Sequence, residues 1–383
     1  MNFSIPPAYN ELREKILDFA RTQIAPTVQV RDAAGTFSRE LWESCAAFGI
    51  QELACSPQFG SRYGEVDILR ALFAMEALGY ASGDAGLMLG LNAQMWTVQM
   101  PILDFGTDAQ KTKFLSPSAA GKWIGAHALT EPETGSDVYN MTTTAVQTDG
   151  GYLINGVKHL ITLGPIADYV LLFAMTNVKV GKWGISAFLV EAGTPGFKQL
   201  PNQSKMGLRT VPIGRLEFDN CLVPSENLLG KEGAGFAICN HSLEYDRCCM
   251  LAGNLGAMER QLAQSIKVVK ERKQFGQSIG KFQSVSNRIA DMKLRLETCR
   301  LLLYKVAWMK QNGQSALLES AMLKLHLGES FVASSLDAVR NHGGRGYLTE
   351  YGTERDLRDS VGGILYAGTS DIQRNIIAQL LGL

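Results

Sequence analysis

Two carboxylates stand two residues apart in the run Leu243-Glu244-Tyr245-Asp246-Arg247, within a stretch whose apolar spacing predicts helix. A carboxylate held against a substrate carbon can take a proton from it, which is general-base chemistry. At about 100° per residue the two side chains point about 200° apart, so they are alternatives for one pocket rather than a dyad. A second concentration of reactive types is Ala128-Leu129-Thr130-Glu131-Pro132-Glu133-Thr134-Gly135-Ser136-Asp137-Val138, dense in hydroxyls, carboxylates and permissive glycine. Taken alone, such a run serves any capped turn. The charge run Lys270-Glu271-Arg272-Lys273 reads by composition as a solvated face, although an arginine fork also suits a pair of phosphates. Gly343, Gly344 and Gly346 would let backbone approach a ligand closely. His127, His159, His241, His326 and His342 lack metal-ligand spacing, and His241 reads as an ordinary polar residue near a helix start. The seven cysteines contain no CxxC pair, so buried thiols in a reducing compartment are expected and no metal site is.

The elements that must hold these residues change in texture along the chain. Of the 383 residues 46% are apolar and 19% charged, enough for a well-buried core and two or three cooperating subdomains. Lys plus Arg (37) balance Asp plus Glu (37), which offers no electrostatic case for nucleic acid or an anionic membrane. The first residues lack a basic region followed by an apolar one, and no stretch approaches a membrane span, so a cytoplasmic protein is expected. Helical spacing marks Tyr9–Ala25, Ile68–Leu78, Ala85–Met95 and Asp108–Phe114, giving a helical domain over 1–120. Short β-rich runs at Tyr152–Ile154, Tyr169–Phe173, Ile185–Val190 and Arg215–Phe218, divided by glycine turns, predict an antiparallel β domain over 121–235. Long helical segments, Ala237–Lys270, Gln283–Gln311, Ala316–Asn341 and Ser370–Leu381, then predict a C-terminal four-helix domain over 236–383.

The 128–138 run resembles the signature of the acyl-CoA dehydrogenase family, and further blocks match in the same order along nearly the whole chain. They are Asn155-Gly156-Val157-Lys158 through Thr162, Lys205-Met206-Gly207-Leu208-Arg209, Val223–Gly230, Glu271–Gly276 with Phe282-Gln283, Gly343–Tyr347, and Tyr366-Ala367-Gly368-Thr369-Ser370. The resemblance implies a mixed α and β fold: an N-terminal helical domain, a central antiparallel β domain and a C-terminal four-helix bundle. It also implies tightly bound FAD and usually a homotetramer. By family position Leu129, Thr130 and Thr162 would bind the isoalloxazine edge, with Gly135 and Ser136 beside them. Arg272, Gln274 and Phe275 would reach across a subunit interface to FAD, Arg272 near the pyrophosphate, and Gln283 would also bind the cofactor. Gly343 and Gly344 would approach the same cofactor, and Thr369 its other end. Leu160 stands where many relatives carry tryptophan.

Members of this family take the substrate's α-proton with a carboxylate while the β-hydride passes to flavin. Most carry that base in a Tyr-Glu-Gly-Thr element, where this chain has Ala367. A minority, exemplified by isovaleryl-CoA dehydrogenase, has alanine there and carries the base just before an arginine on the helix after the β domain. Counting from Gly235-Phe236 forward or from Gly253 back aligns Asp246 with that position, and Glu244 is the rival. The reading is an FAD-dependent oxidation of an acyl thioester at Cα–Cβ. The acyl group would be carried either on CoA, with an electron-transfer flavoprotein as acceptor, or on a carrier protein, as the prolyl-carrier-protein dehydrogenases use it. A flavin-dependent monooxygenase on the same fold is the alternative, which loss of glutamate at 367 suits and an acid at 246 does not. A non-catalytic scaffold would have no need of the cofactor motifs.

Overall fold

Among the described residues before the first strand the chain is mainly helical, with α1 (Pro7–Phe19), α2 (Val28–Ala34), α3 (Arg39–Phe48), α4 (Ile68–Ser82), α5 (Ala85–Gln94), α6 (Met100–Phe105) and α7 (Asp108–Ala119). These come from a computed structural model that describes residues 6–383. Side-chain caps set where the helices begin. Ser38, Asp67 and Asp84 accept from the N–H three residues on, and Thr107 with Gln110 forms a reciprocal capping box. Asp84 does more than cap, since Thr210 and Arg31 also donate to it and tie this domain to the loop before a late strand of the sheet.

The sheet contains β1 (Gly125–Ala128), β2 (Thr144–Thr148), β3 (Gly151–Thr162), β4 (Tyr169–Met175), β5 (Ile185–Glu191), β6 (Phe197–Gln199), β7 (Ile213–Val223) and β8 (Leu228–Leu229). Its order is β6-β7-β3-β2-β4-β5-β8, with β1 paired to β4. Four of the strands contain the runs predicted from alternation and turns. The sheet is mainly antiparallel, but β1 with β4 and β2 with β4 are parallel pairs. Strand β1 has no counterpart in the sequence reading, because four residues, Gly-Ala-His-Ala, carry too little pattern to mark a strand. Register shifts between Lys158 and Ile161 interrupt the β3–β7 ladder, and Leu160 sits there with φ 57° and a side chain 54% exposed. A non-glycine residue in that region is uncommon and marks a bulge that re-aims a side chain.

Six helices follow: α8 (Gly235–Cys249), α9 (Ala252–Glu271), α10 (Gln283–Gln311), α11 (Leu317–His342), α12 (Thr353–Gly362) and α13 (Ser370–Leu380). The single segment expected over Ala237–Lys270 is in fact two helices, parted by a turn at Met250–Leu251. The turn allows α9 to lie directly on α4. A Cβ at Gly79 would meet the Gly253 carbonyl oxygen at 2.0 Å, and one at Gly256 the Glu76 oxygen at 1.9 Å. The two backbones are therefore in contact, which only glycine permits. Helices α8 to α11 pack on one another, and buried side chains run continuously from α4 through α9, α10 and α11. Among the described residues no helix is long and apolar enough to cross a membrane.

Candidate active site

The segment Leu129-Thr130-Glu131 leaves the end of β1 and is clamped from β3. Lys158, with no exposed surface, donates from Nζ to the Leu129 carbonyl and to Glu131 Oε1, both at 2.9 Å. The His159 N–H donates to the Thr130 carbonyl at 2.8 Å. Glu131 in turn accepts from the N–H and hydroxyl of Thr142 at 2.6 and 2.7 Å and from the Thr143 N–H at 2.9 Å. Burial alone would raise the Glu131 carboxyl, but the Lys158 charge and the threonine donors bring it down to about 2. Burial lowers the Lys158 ammonium to about 8, so at neutral pH both partners are charged. Both residues lie inside the sequence motifs, which assign neither a role. The signal was the pairing of a glutamate in one block with a lysine in another, which spacing along one chain cannot reveal.

Of the hydroxyl-bearing residues expected at the cofactor, Thr130 and Thr162 are half-buried and Ser136 is exposed. A Cβ at Gly135 would find no atom within 4 Å. Two buried polar atoms nearby in sequence, Thr134 Oγ1 and His159 Nδ1, have no hydrogen-bond partner.

Helix α8 presents its two carboxylates in different directions, as the 200° estimate requires. Glu244 pairs with Lys310 of α10 at 2.9 Å. That ammonium also lies 4.1 Å from the Tyr245 ring centroid, and Tyr245 stacks on Trp96 with centroids 6.0 Å apart. Glu244 is thus a committed member of an ion pair. Asp246 is buried and its Oδ1 has no partner. Burial pushes its carboxyl up to about 7, against the pull of Arg247 and of Lys324 on α11. Lys324 is itself fully buried and its Nζ makes no hydrogen bond. It sits 5.7 Å from the Tyr366 ring centroid, and burial lowers its ammonium to about 8 although Asp246 pulls the other way.

The loop at Tyr366-Ala367-Gly368 closes the same neighbourhood. Arg247 Nε donates to the Ala367 carbonyl at 3.5 Å, and Gln373 Nε2 donates to the Ala367 and Gly368 carbonyls at 3.2 and 3.1 Å. Asn254 donates to the Tyr366 hydroxyl at 2.9 Å. Thr369 caps α13 by accepting from the Ile372 N–H at 3.3 Å. Ala367 holds φ at 55°, a conformation that costs a non-glycine residue energy and that persists where neighbours over-determine it. On the other side of α8, Ser242 lies 3.3 Å from His127 Nε2 on β1, just before the Leu129 platform. Burial, with Lys158 adding to it, lowers His127 to about 4 and leaves it neutral. His241 faces away, 2.6 Å from Asp104.

The remaining residues expected at the cofactor form a separate group. Arg272 donates to the His342 carbonyl at 3.0 Å and lies 3.1 Å from where a Cβ of Gly343 would be, while Gly344 and Gln283 are exposed. Gln274 is exposed and donates to its neighbour's carbonyl at 2.7 Å. Phe275 has φ 49° and is 93% exposed, touching Phe282 edge-on with centroids 6.1 Å apart. Within one chain, no hydrogen bond among the described residues joins this group to the Asp246 group. Among the described residues there is also no cluster of three or more His, Cys, Asp or Glu able to hold a metal.

Three family models cover this architecture end to end: the acyl-CoA dehydrogenase N-terminal domain over residues 6–122, its middle domain over 126–221 and its C-terminal domain over 233–382. The chain belongs to the acyl-CoA dehydrogenase family. An L-prolyl-[peptidyl-carrier protein] dehydrogenase from Serratia sp. is 40% identical over 383 residues, covering 100% of this chain and 99% of its own. The crystal structure of the prolyl acyl carrier protein oxidase AnaB is 44% identical with a TM-score of 0.97, covering 99% of this chain and 100% of its own. A structure of PigA with FAD and proline is 40% identical with a TM-score of 0.97, covering both chains completely at 100%. The chain is accordingly an FAD-dependent oxidoreductase of the acyl-CoA dehydrogenase type, which oxidises an acyl thioester between Cα and Cβ. These relatives do not favour the monooxygenase reading.

Proposed function

We propose that this dehydrogenase oxidises an aminoacyl thioester of the prolyl class presented by a carrier protein, with Asp246 as the base that removes the α-proton. The end-to-end likeness to the L-prolyl-[peptidyl-carrier protein] dehydrogenase is the observation that carries the substrate reading. The choice of base rests on the contrast between Glu244, held by Lys310, and Asp246, whose Oδ1 is uncommitted.

The residues present fit FAD. Open space at Gly135 and the unpartnered Thr134 and His159 atoms suit a bound polar ring, and Leu129, Thr130, Ser136 and Thr162 would hold it. When bound, FAD supplies the two-electron acceptor for the β-hydride. The protein's own part is to hold the thioester α-carbon against Asp246 and to keep water from the carboxylate. Desolvation makes Asp246 a stronger base than an exposed aspartate, and Arg247 and Lys324 keep enough of it ionised near neutral pH. Arg272, Gln274, Phe275, Gln283, Gly343 and Gly344 would complete the site of a second copy. The nearly full exposure of Phe275 supports that arrangement, because such a side chain gains from being covered. We further propose a homotetramer, with an electron-transfer flavoprotein as acceptor.

Mixing the purified flavoprotein anaerobically with prolyl thioesters on a carrier protein and with a panel of acyl-CoAs tests the substrate reading. Bleaching of the flavin by the carrier-bound prolyl group, and far more slowly by any acyl-CoA, is expected. Fast bleaching by an acyl-CoA with none by carrier-bound groups would remove it.

A further inference from the structure

The turn between β4 and β5 exposes apolar surface that the fold does not require. Val178 is 72%, Val180 48% and Trp183 58% exposed, with Lys179 and Lys182 between them and no acidic residue from 177 to 190. The turn is nevertheless firmly built. The N–H groups of Thr176 and Asn177 both donate to the Gly184 carbonyl, at 2.8 and 3.2 Å, and the Thr176 hydroxyl does so at 2.9 Å. A Cβ at Gly184 would lie 1.8 Å from the Asn177 oxygen, so only glycine closes it. The neighbouring loop adds exposed Lys231, and its Gly233 approaches the Trp183 carbonyl so closely that a Cβ there would stand at 2.8 Å. The acid beside that lysine, Glu232, already accepts from the Tyr152 hydroxyl at 2.8 Å.

This patch leads inward along α8. Trp183 packs edge-on against Phe236 with centroids 4.9 Å apart, and Lys182 Nζ lies 4.5 Å from the Phe236 ring. Phe236 meets Tyr139 at 4.9 Å, and Tyr139 donates to Asn240 at 2.8 Å, one turn further along. Asp246 follows Phe236 by ten residues of helix, about 15 Å at 1.5 Å per residue. An extended pantetheine chain spans such a distance.

We propose that Val178, Val180, Lys182 and Trp183, with Lys179 and Lys231 beside them, form the docking surface for the carrier protein. Its phosphodiester and anionic, apolar contact face would meet the lysines and Trp183, while its arm follows α8 to Asp246. This proposal rests on the carrier-protein reading given above. A partner of that kind matches the patch in both respects, since apolar anchors supply affinity and like-signed lysines supply steering and register.

Kinetics of flavin reduction in the FAD-loaded enzyme, wild type, Trp183→Ala and Lys182→Glu, separate the outcomes with three prolyl thioesters: on a holo carrier protein, on CoA and on pantetheine. Each variant should lower kcat/KM for the carrier-bound substrate by about tenfold to a hundredfold, as anchor truncations at interfaces do, and leave the pantetheine thioester within about twofold. FAD content and sedimentation should be unchanged. Equal loss on all three substrates would mean that the patch acts on the arm or the fold. Loss on CoA as large as on the carrier would reduce the patch to a phosphate contact, and altered sedimentation would make it a subunit interface. Any of these, or no loss at all, overturns the proposal. A wild-type enzyme that ignores the carrier-bound substrate but uses CoA would instead refute the substrate reading itself, and the docking surface with it.

Discussion

Asp246 is one carboxylate among several buried charges, and its pH behaviour follows from them. Its carboxyl is raised to about 7 by burial and restrained by Arg247 and Lys324, while Tyr366, pushed up to about 12, and Cys249, pushed well above its usual value, remain neutral beside it. A base must be ionised to act, so kcat/KM should rise with pH and level off above about 7. Lys324→Met removes a cation that favours the ionised form, so Asp246 should titrate higher and the rising limb should move to higher pH. The variant's pH–rate profile checks this, and an unmoved limb would mean that Lys324 does not act on the base. At this scale the sequence was legible in part. The helical angle between Glu244 and Asp246 already required different surroundings, but the ion-pair partner of the first, Lys310, and the cation acting on the second, Lys324, came from α10 and α11, 60 residues or more away in the chain.

Strand β3 and the segment after β1 are joined through the Lys158–Glu131 pair, and the platform at Leu129–Thr130 depends on it. Lys158→Met should leave Glu131 buried without its cation, at a cost of about 3–5 kcal/mol, the range for breaking a buried pair from one side. Thermal unfolding of the apo protein measures that loss, and the variant should also retain less FAD. A melting temperature within a degree or two of the wild type would show that the clamp is not needed. The longer helices and four of the strands were readable, because apolar periodicity and glycine turns report local geometry, whereas α2, α3, α6 and α12 were not marked. The break at Met250–Leu251 was not readable, since no proline or cap residue marks it and the glycine contact of α9 with α4 that it accompanies is tertiary. Nor was β1, whose pairing with β4 is decided by tertiary packing rather than by its own four residues.

Taken as a whole, the residues proposed to hold FAD fall into two groups that no hydrogen bond among the described residues joins within one chain. If the Arg272 group completes another copy's site, the FAD-loaded protein must sediment as a dimer or larger, and a tetramer is expected. Arg272→Ala should weaken FAD retention by on the order of 1.5–3 kcal/mol, the worth of a hydrogen bond to a charged group. An active, FAD-loaded monomer at micromolar concentration would refute this arrangement. The composition could not have suggested it, because a balanced charge and an ordinary apolar content describe a monomer as well as a tetramer.

The measurement that bears most directly on the account is the rate of anaerobic flavin reduction by the carrier-bound prolyl thioester in Asp246→Asn and Glu244→Gln. With Asp246 as base, Asp246→Asn should bind FAD normally and reduce it slower by about 10² to 10⁴, the usual contribution of a positioned base. Glu244→Gln, which loosens only the Lys310 pair, should stay within about tenfold of the wild type. Abolished reduction in Glu244→Gln with near-normal reduction in Asp246→Asn would contradict the account and make Glu244 the base.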